Sequence, residues 1–190
     1  YVIPAAGGAP TRVTYMGAGT QTIGWTPDGT RMVFRSSHEN TFRPITKLYT
    51  VTPDGGLPEQ MPMERGILCS FSPDGSKLVY NRRGNEEYYW KRYKGGQYQD
   101  IWLHDFAAKT FVPLTDYVGK NSYPMWAGSS ILFVTDRGPK GVANLWRLDP
   151  ATKAASPVTS YEDFDVQMPA TDGKSVVFTR AGLAYRMDVA

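Results

Sequence analysis

Apolar and polar residues along this chain alternate in short runs of four to six positions, each broken by a cluster of turn formers. The stretch Ile23-Gly24-Trp25-Thr26-Pro27-Asp28-Gly29-Thr30-Arg31-Met32-Val33-Phe34 returns, slightly altered, as Cys69-Ser70-Phe71-Ser72-Pro73-Asp74-Gly75-Ser76-Lys77-Leu78-Val79-Tyr80. Met32/Phe34 and Leu78/Tyr80 repeat at period two, and an aromatic residue, Trp25 or Phe71, precedes each turn, so each copy predicts a β-hairpin. Pro presets φ for the first central turn position, the Asp side chain accepts from a nearby backbone N–H, and Gly supplies the left-handed residue that sends the chain back. Gly29 and Gly75 stand 46 positions apart. A repeat of that length is the size of a four-stranded propeller blade.

A second repeat strengthens the assignment. Tyr1 to Thr14 matches Tyr49 to Pro62 at an offset of 48, each read as a strand, a Gly-Gly turn and a short outer strand. The chain then divides into a partial blade over 1–20, blades over 21–65, 66–121 and 122–164, and a partial blade over 165–190. Predicted strands are Gln21–Trp25, Arg31–Ser36, Lys47–Thr52 and Pro58–Pro62. The next blade gives Ile67–Phe71, Lys77–Asn81, Asp100–Phe106 and Thr110–Thr115. After it come Ser122–Trp126, Ser130–Thr135, Asn144–Leu148 and Ser156–Thr159, with Ala127-Gly128-Ser129 in place of the Pro-Asp-Gly turn. The last blade turns on Asp172-Gly173 between Val166–Ala170 and Ser175–Thr179 and ends on Leu183–Val189. Each third strand carries an aromatic residue (Tyr49, Trp102, Trp146, Tyr185), as expected of half-buried strands between stacked sheets. The predicted fold is all-β, a β-propeller in an incomplete arc of about four blades from a larger ring. Because the chain opens at Tyr1 inside a repeat, upstream residues are expected in the natural protein.

Composition adds limits. Lys and Arg exceed Asp and Glu by a net charge of +3 over 190 residues, too mild an excess to argue for nucleic acid. The single cysteine, Cys69, permits no internal disulfide and reads as a small buried hydrophobe. No apolar run is long enough to span a bilayer, so no membrane insertion is expected. The compartment stays open between periplasm and cytoplasm, leaning to the periplasm.

Candidate chemistry is sparse. The longest interruption, 82–99, separates the second and third strands of one blade and interleaves five aromatics with basic residues. Arg82, Arg83, Tyr89, Trp90, Lys91, Arg92 and Tyr93 are candidates for holding an extended peptide or a single nucleic-acid strand by stacking and neutralisation. The alternative is that Trp90 and the tyrosines pack the loop onto its own blade. A shorter insertion, His38 to Thr46, occupies the equivalent place in the preceding blade. Basic residues also recur after the second strands, at Arg35, Arg82, Arg83, Arg137 and Arg180, where they could steer a carboxylate toward a mouth of the ring. The bland reading is a solvated rim, with Arg137 paired to Asp136. His38 and His104 have no nucleophile in a recognisable setting, and His104 and Asp105 point to opposite strand faces. Turn aspartates are explained by the turns. No metal spacing or cofactor motif is present, so no catalytic residue, metal or cofactor is assigned.

The Trp/Phe-Thr/Ser-Pro-Asp-Gly hairpin, the Tyr-x-Val-x-x-x-Gly-Gly-x-Pro connection and the Val-Thr or Leu-Thr strand endings resemble the propellers of TolB-like proteins, prolyl oligopeptidases and tricorn proteases. More narrowly, Trp90-Lys91-Arg92-Tyr93-Lys94-Gly95-Gly96 before Asp100-Ile101-Trp102, then Tyr123-Pro124-Met125-Trp126 and Phe133-Val134-Thr135-Asp136-Arg137, is similar to the first, six-bladed propeller of tricorn-type serine proteases. That resemblance implies a non-catalytic domain of a tail-specific peptidase, gating oligopeptides, with the serine in C-terminal domains outside this chain. Its partners would be oligopeptides or a protein, and any homo-oligomer would form through the parent protein. Six blades of roughly 45 residues would need about 270. The rival reading is a TolB-like module that binds an envelope protein.

Overall fold

The computed structural model describes residues 1–40, 45–83 and 92–189. Fifteen strands and no helix occur among them. Strands β1 (Thr20–Trp25), β2 (Met32–Ser36), β3 (Lys47–Val51) and β4 (Glu59–Gln60) pair in that order. A second sheet joins β5 (Cys69–Phe71), β6 (Lys77–Asn81), β7 (Ile101–Asp105) and β8 (Thr110–Pro113), and a third joins β9 (Asn121–Ala127), β10 (Ser130–Thr135), β11 (Asn144–Leu148) and β12 (Ala155–Pro157). The last has three strands, β13 (Gln167–Thr171), β14 (Ser175–Arg180) and β15 (Leu183–Asp188). All pairings are antiparallel and sequential, which is the meander of a propeller blade. The chain forms two compact units, Tyr1–Ile67 and Leu68–Ala190. The first holds one sheet and the second holds three.

The repeated hairpin turn has the predicted chemistry. Gly29 N–H donates to Thr26 O at 2.9 Å and Gly75 N–H to Ser72 O at 2.8 Å, with φ of 69° and 73° at the two glycines. Asp74 accepts from the Ser72 hydroxyl (2.6 Å), the Ser76 hydroxyl (2.8 Å) and Ser76 N–H (3.1 Å). These bonds stabilise the carboxylate, and they pull its pKa down to about 2. Asp28 repeats the set with Thr26 and Thr30.

One expectation fails. Residues 1–14 form no strands, only an isolated bridge in which Val2 and Thr11 exchange two backbone bonds of 2.8 Å. Pro4 and Pro10 remove the neighbouring donors, and Gly7 and Gly8 take φ of 90° and 131°, so the ladder cannot grow from the bridge. Val13 nevertheless packs with Met32, Phe34, Tyr49 and Val51 in the core of the first unit.

In the second unit the sheets stack face to face. Val79, Ile101 and Leu114 of the second sheet pack on Ile131, Phe133 and Leu148 of the third. The other face of the third sheet, with Leu132, Val134 and Leu145, packs on Val176 and Phe178 of the fourth. Strand β9 sits at the convergent side of this stack, against β5, β6 and β7 on one side and β13 on the other, while β8 and β12 make no comparable approach. His104 is a core residue, with Nδ1 at 3.0 Å from Thr110 O and its ring 4.3 Å from that of Phe111. Cys69 is half-buried, and desolvation pushes its thiol up to about 12, which disfavours the thiolate.

Three of the four first strands share an irregularity that the short β5 lacks. Register shifts between Thr22 and Gly24 in β1, opposite Leu132 to Val134 in β9, and between Gln167 and Ala170 in β13. In β9 and β13 two residues stand opposite the second-strand phenylalanine, Phe133 or Phe178, and in β1 the extra Ile23 falls between the partners of Phe34 and Val33; each is a β-bulge. Tyr123 and Met168 hold φ of 53° and 48° at two of these bulges, and each precedes a proline.

Candidate functional site

Strand register builds the site from a cross-strand aromatic pair. Phe34 lies opposite Tyr49, Tyr80 opposite Trp102, Phe133 opposite Trp146 and Phe178 opposite Tyr185. Directly opposed rings in antiparallel strands reinforce one another, and the Phe34–Tyr49 and Phe178–Tyr185 pairs stack at 5.6 and 5.4 Å. Side chains return to the same strand face every second residue. Arg82 follows Tyr80 by two positions, Arg180 follows Phe178 by two, and Arg137 follows Phe133 by four. Each folds back onto the pair: Arg82 sits 4.5 Å from the Trp102 ring centre, and Arg180 sits 3.9 Å from Tyr161 and 5.8 Å from Tyr185. Arg35 directly follows Phe34, on the opposite face, and donates to Gln21 Oε1 instead.

Arg137 has the most enclosed setting. Its guanidinium lies 5.3 Å from Tyr117, 5.5 Å from Phe133 and 5.3 Å from Trp146, and donates to Asn121 Oδ1 at 3.2 Å. Burial lowers its pKa, while the nearby Asp116 carboxylate and Tyr117 oppose that shift. The expected pair with Asp136 does not form. Asp136 is 5% exposed and accepts Lys120 N–H at 2.9 Å. Adjacent residues leave a strand on opposite faces, and Arg137 gains roughly 0.5–2 kcal/mol on each ring it covers.

Asn121, fully buried, ties this site together. Its Nδ2 donates to Gln99 O (2.9 Å) and Tyr117 O (2.8 Å), and its Oδ1 accepts from Thr135 Oγ1 (3.1 Å) and Arg137. Asn81 Nδ2 reaches Asp100 O and Asn121 O, stitching the second sheet to the third. Nothing in the sequence pattern marked either asparagine, because most of their partners lie on other strands or loops well along the chain.

The described part of the long insertion is tied down at several points. Arg83 donates to Gly96 O (2.7 Å), Tyr93 Oη accepts from Gln97 N–H (3.4 Å), and Gln99 N–H reaches Gly119 O (3.2 Å). Arg92 crosses to the third sheet and donates to Lys140 O at 2.8 Å. A side chain on Gly141 would meet Arg92 Nε at 2.7 Å, and Gly141 has φ of 62°. The structure thus brings Arg82, Arg83, Arg92, Tyr93 and Arg137 to one end of the second and third sheets. Tyr89, Trp90 and Lys91 lie outside the described residues, as do 41–44 of the shorter insertion. Among the described residues no three His, Cys, Asp or Glu side chains gather to hold a metal ion.

Residues 1–190 match the family described as the tricorn protease N-terminal β-propeller domain. This chain belongs to that family. A tricorn protease homolog of Saccharolobus solfataricus is 30% identical over 182 residues, covering 95% of this chain and 17% of the homolog. Tricorn protease homolog 1 of Streptomyces coelicolor is 30% identical over 190 residues, covering 99% and 17%. The crystal structure of the tricorn protease aligns with a TM-score of 0.77 at 26% identity, over 89% of this chain and 16% of that one. TolB from Acinetobacter baumannii shares the fold alone, at 18% identity and a TM-score of 0.67, over 90% of this chain and 41% of that one. The chain thus spans about a sixth of its curated tricorn relatives. Within the tricorn propeller fold, the connections that follow second and fourth strands emerge at the same end of each sheet. Arg82, Arg137 and Arg180 therefore mark one end of their blades, each resting on an aromatic shelf.

Proposed function

We propose that this chain is a non-catalytic wall of a tricorn-like serine peptidase, one that admits extended oligopeptides and excludes folded polypeptides. The observation that carries the reading is the convergence of first strands around β9 in the second unit. Stacked sheets that converge on one side leave a narrow passage when the stack closes, and its width selects chain conformation. Arg82 and Arg137 favour the reading too, since cations seated on rings at one end of the blades attract a peptide carboxylate, whereas Arg180 is already paired with Asp163.

Two measurements test this. The isolated chain should hydrolyse no fluorogenic peptide, and peptidase activity that persists through purification would overturn the assignment. In the full-length parent, removing this propeller should raise cleavage of long polypeptides relative to short ones. An unchanged length preference would end the gating reading.

A further inference from the structure

Antiparallel sheets present an open row of backbone donors and acceptors at each edge, and an extended peptide beside such an edge pairs with it as one more strand. A passage lined by first strands would therefore hold its cargo rather than pass it on. We infer that the free edges of β9 and β13 are closed to strand addition, so that a threading peptide meets side chains and not a backbone ladder. The inference rests on the passage reading for its biological meaning, but not for its structural content.

Three features close β9. Tyr123 is bulged at φ 53°, which bends the edge and breaks its repeat. Pro124 has no N–H to offer. Further along, Trp126 N–H is already taken by the Ser70 hydroxyl of β5 at 3.0 Å. In β13 the first two recur as Met168, bulged at φ 48°, and Pro169. Strand β5 is three residues long, too short to template a partner. The contrast is β15, six residues without bulge or proline, paired only with β14 among the described residues. The outer edge strand β12 is blunted by its three-residue length and Pro157, whereas the bulges at positive φ lie on the convergent strands β9 and β13.

The test uses the 190-residue chain and a labelled alternating Val-Thr octapeptide, with amide hydrogen exchange reporting which strand the peptide covers. In the wild type, peptide should slow exchange in β15 and leave β9 unchanged. The double variant Pro124→Val with Ser70→Ala restores one donor and frees another, and should gain at least tenfold protection at 124–126 on adding peptide. Ser70→Ala alone is the fallback if the double variant loses its thermal transition, with a smaller gain at Trp126. Wild-type protection in β9, or a folded variant that gains none, overturns the inference. Neither result touches the length preference of the parent peptidase, which judges the passage reading separately.

Discussion

The third and fourth sheets are built on the same repeat, yet one residue in each behaves as if it belonged to a different protein. Leu132 in β10 and Val177 in β14 both sit just before the second-strand phenylalanine and point to the same face. Leu132 is fully buried and Val177 is 48% exposed. Nothing local separates them, because both strands pair on both sides. The difference lies in what stacks on the face. Leu132 is covered by Val176 and Phe178 of the following sheet, and no described sheet covers Val177. Burial in a repeat is therefore set by the neighbour more than by the residue.

That comparison can be broken most easily in the core. Leu132→Ala should cost about 2–5 kcal/mol in denaturant unfolding, as expected for a buried leucine with little room to relax. Val177→Ala should stay within about 0.5 kcal/mol, and similar costs for the two would refute the contrast. Asn121→Ala, which strands two carbonyls and Arg137, should cost about 2–4 kcal/mol. Substituting Asp163, the exposed partner of Arg180 in the fourth sheet, should change the same measurement far less.

The smallest expected effect concerns the turns, where pH supplies the reading. Asp74 has a folded pKa of about 2 against an ordinary 3.8. A depressed carboxylate contributes stability above the unfolded value and loses it as pH falls through the folded one. The melting temperature of the wild type should therefore exceed that of Asp74→Ala at neutral pH. The gap should narrow between pH 4 and 2. A gap that is constant across that window would show that the carboxylate charge contributes nothing to the turn.

Much of the fold was legible because turn chemistry and period-two alternation are local. Pro73-Asp74-Gly75 needs no distant partner to specify its turn, and the aromatic of each third strand followed from the repeat alone. Strand ends shifted by a residue or two, and Tyr1–Thr14 kept its turn residues without its strands, since the two prolines beside the bridge outweigh the match to Tyr49–Pro62. The rim arginines were visible, but their partners were not. Arg137 has Asp136 as its sequence neighbour, whereas its position is decided by Trp146 and Asn121 on the two flanking strands, reached only through cross-strand register. Similarly, a bulge is invisible to a pattern of period two until the opposing strand fixes what each residue faces.

Gly141 shows what such distant dependence does to a protein under drift. The space that a side chain at that position would need is filled by Arg92, forty-nine residues upstream. A mutation at 141 would meet two barriers, its own left-handed backbone and a guanidinium from another blade. Shortening Arg92 first lifts only the second of them. Because that guanidinium is the far end of a flexible side chain and can swing away, the left-handed backbone is the lasting barrier to a side chain at 141, whatever becomes of Arg92.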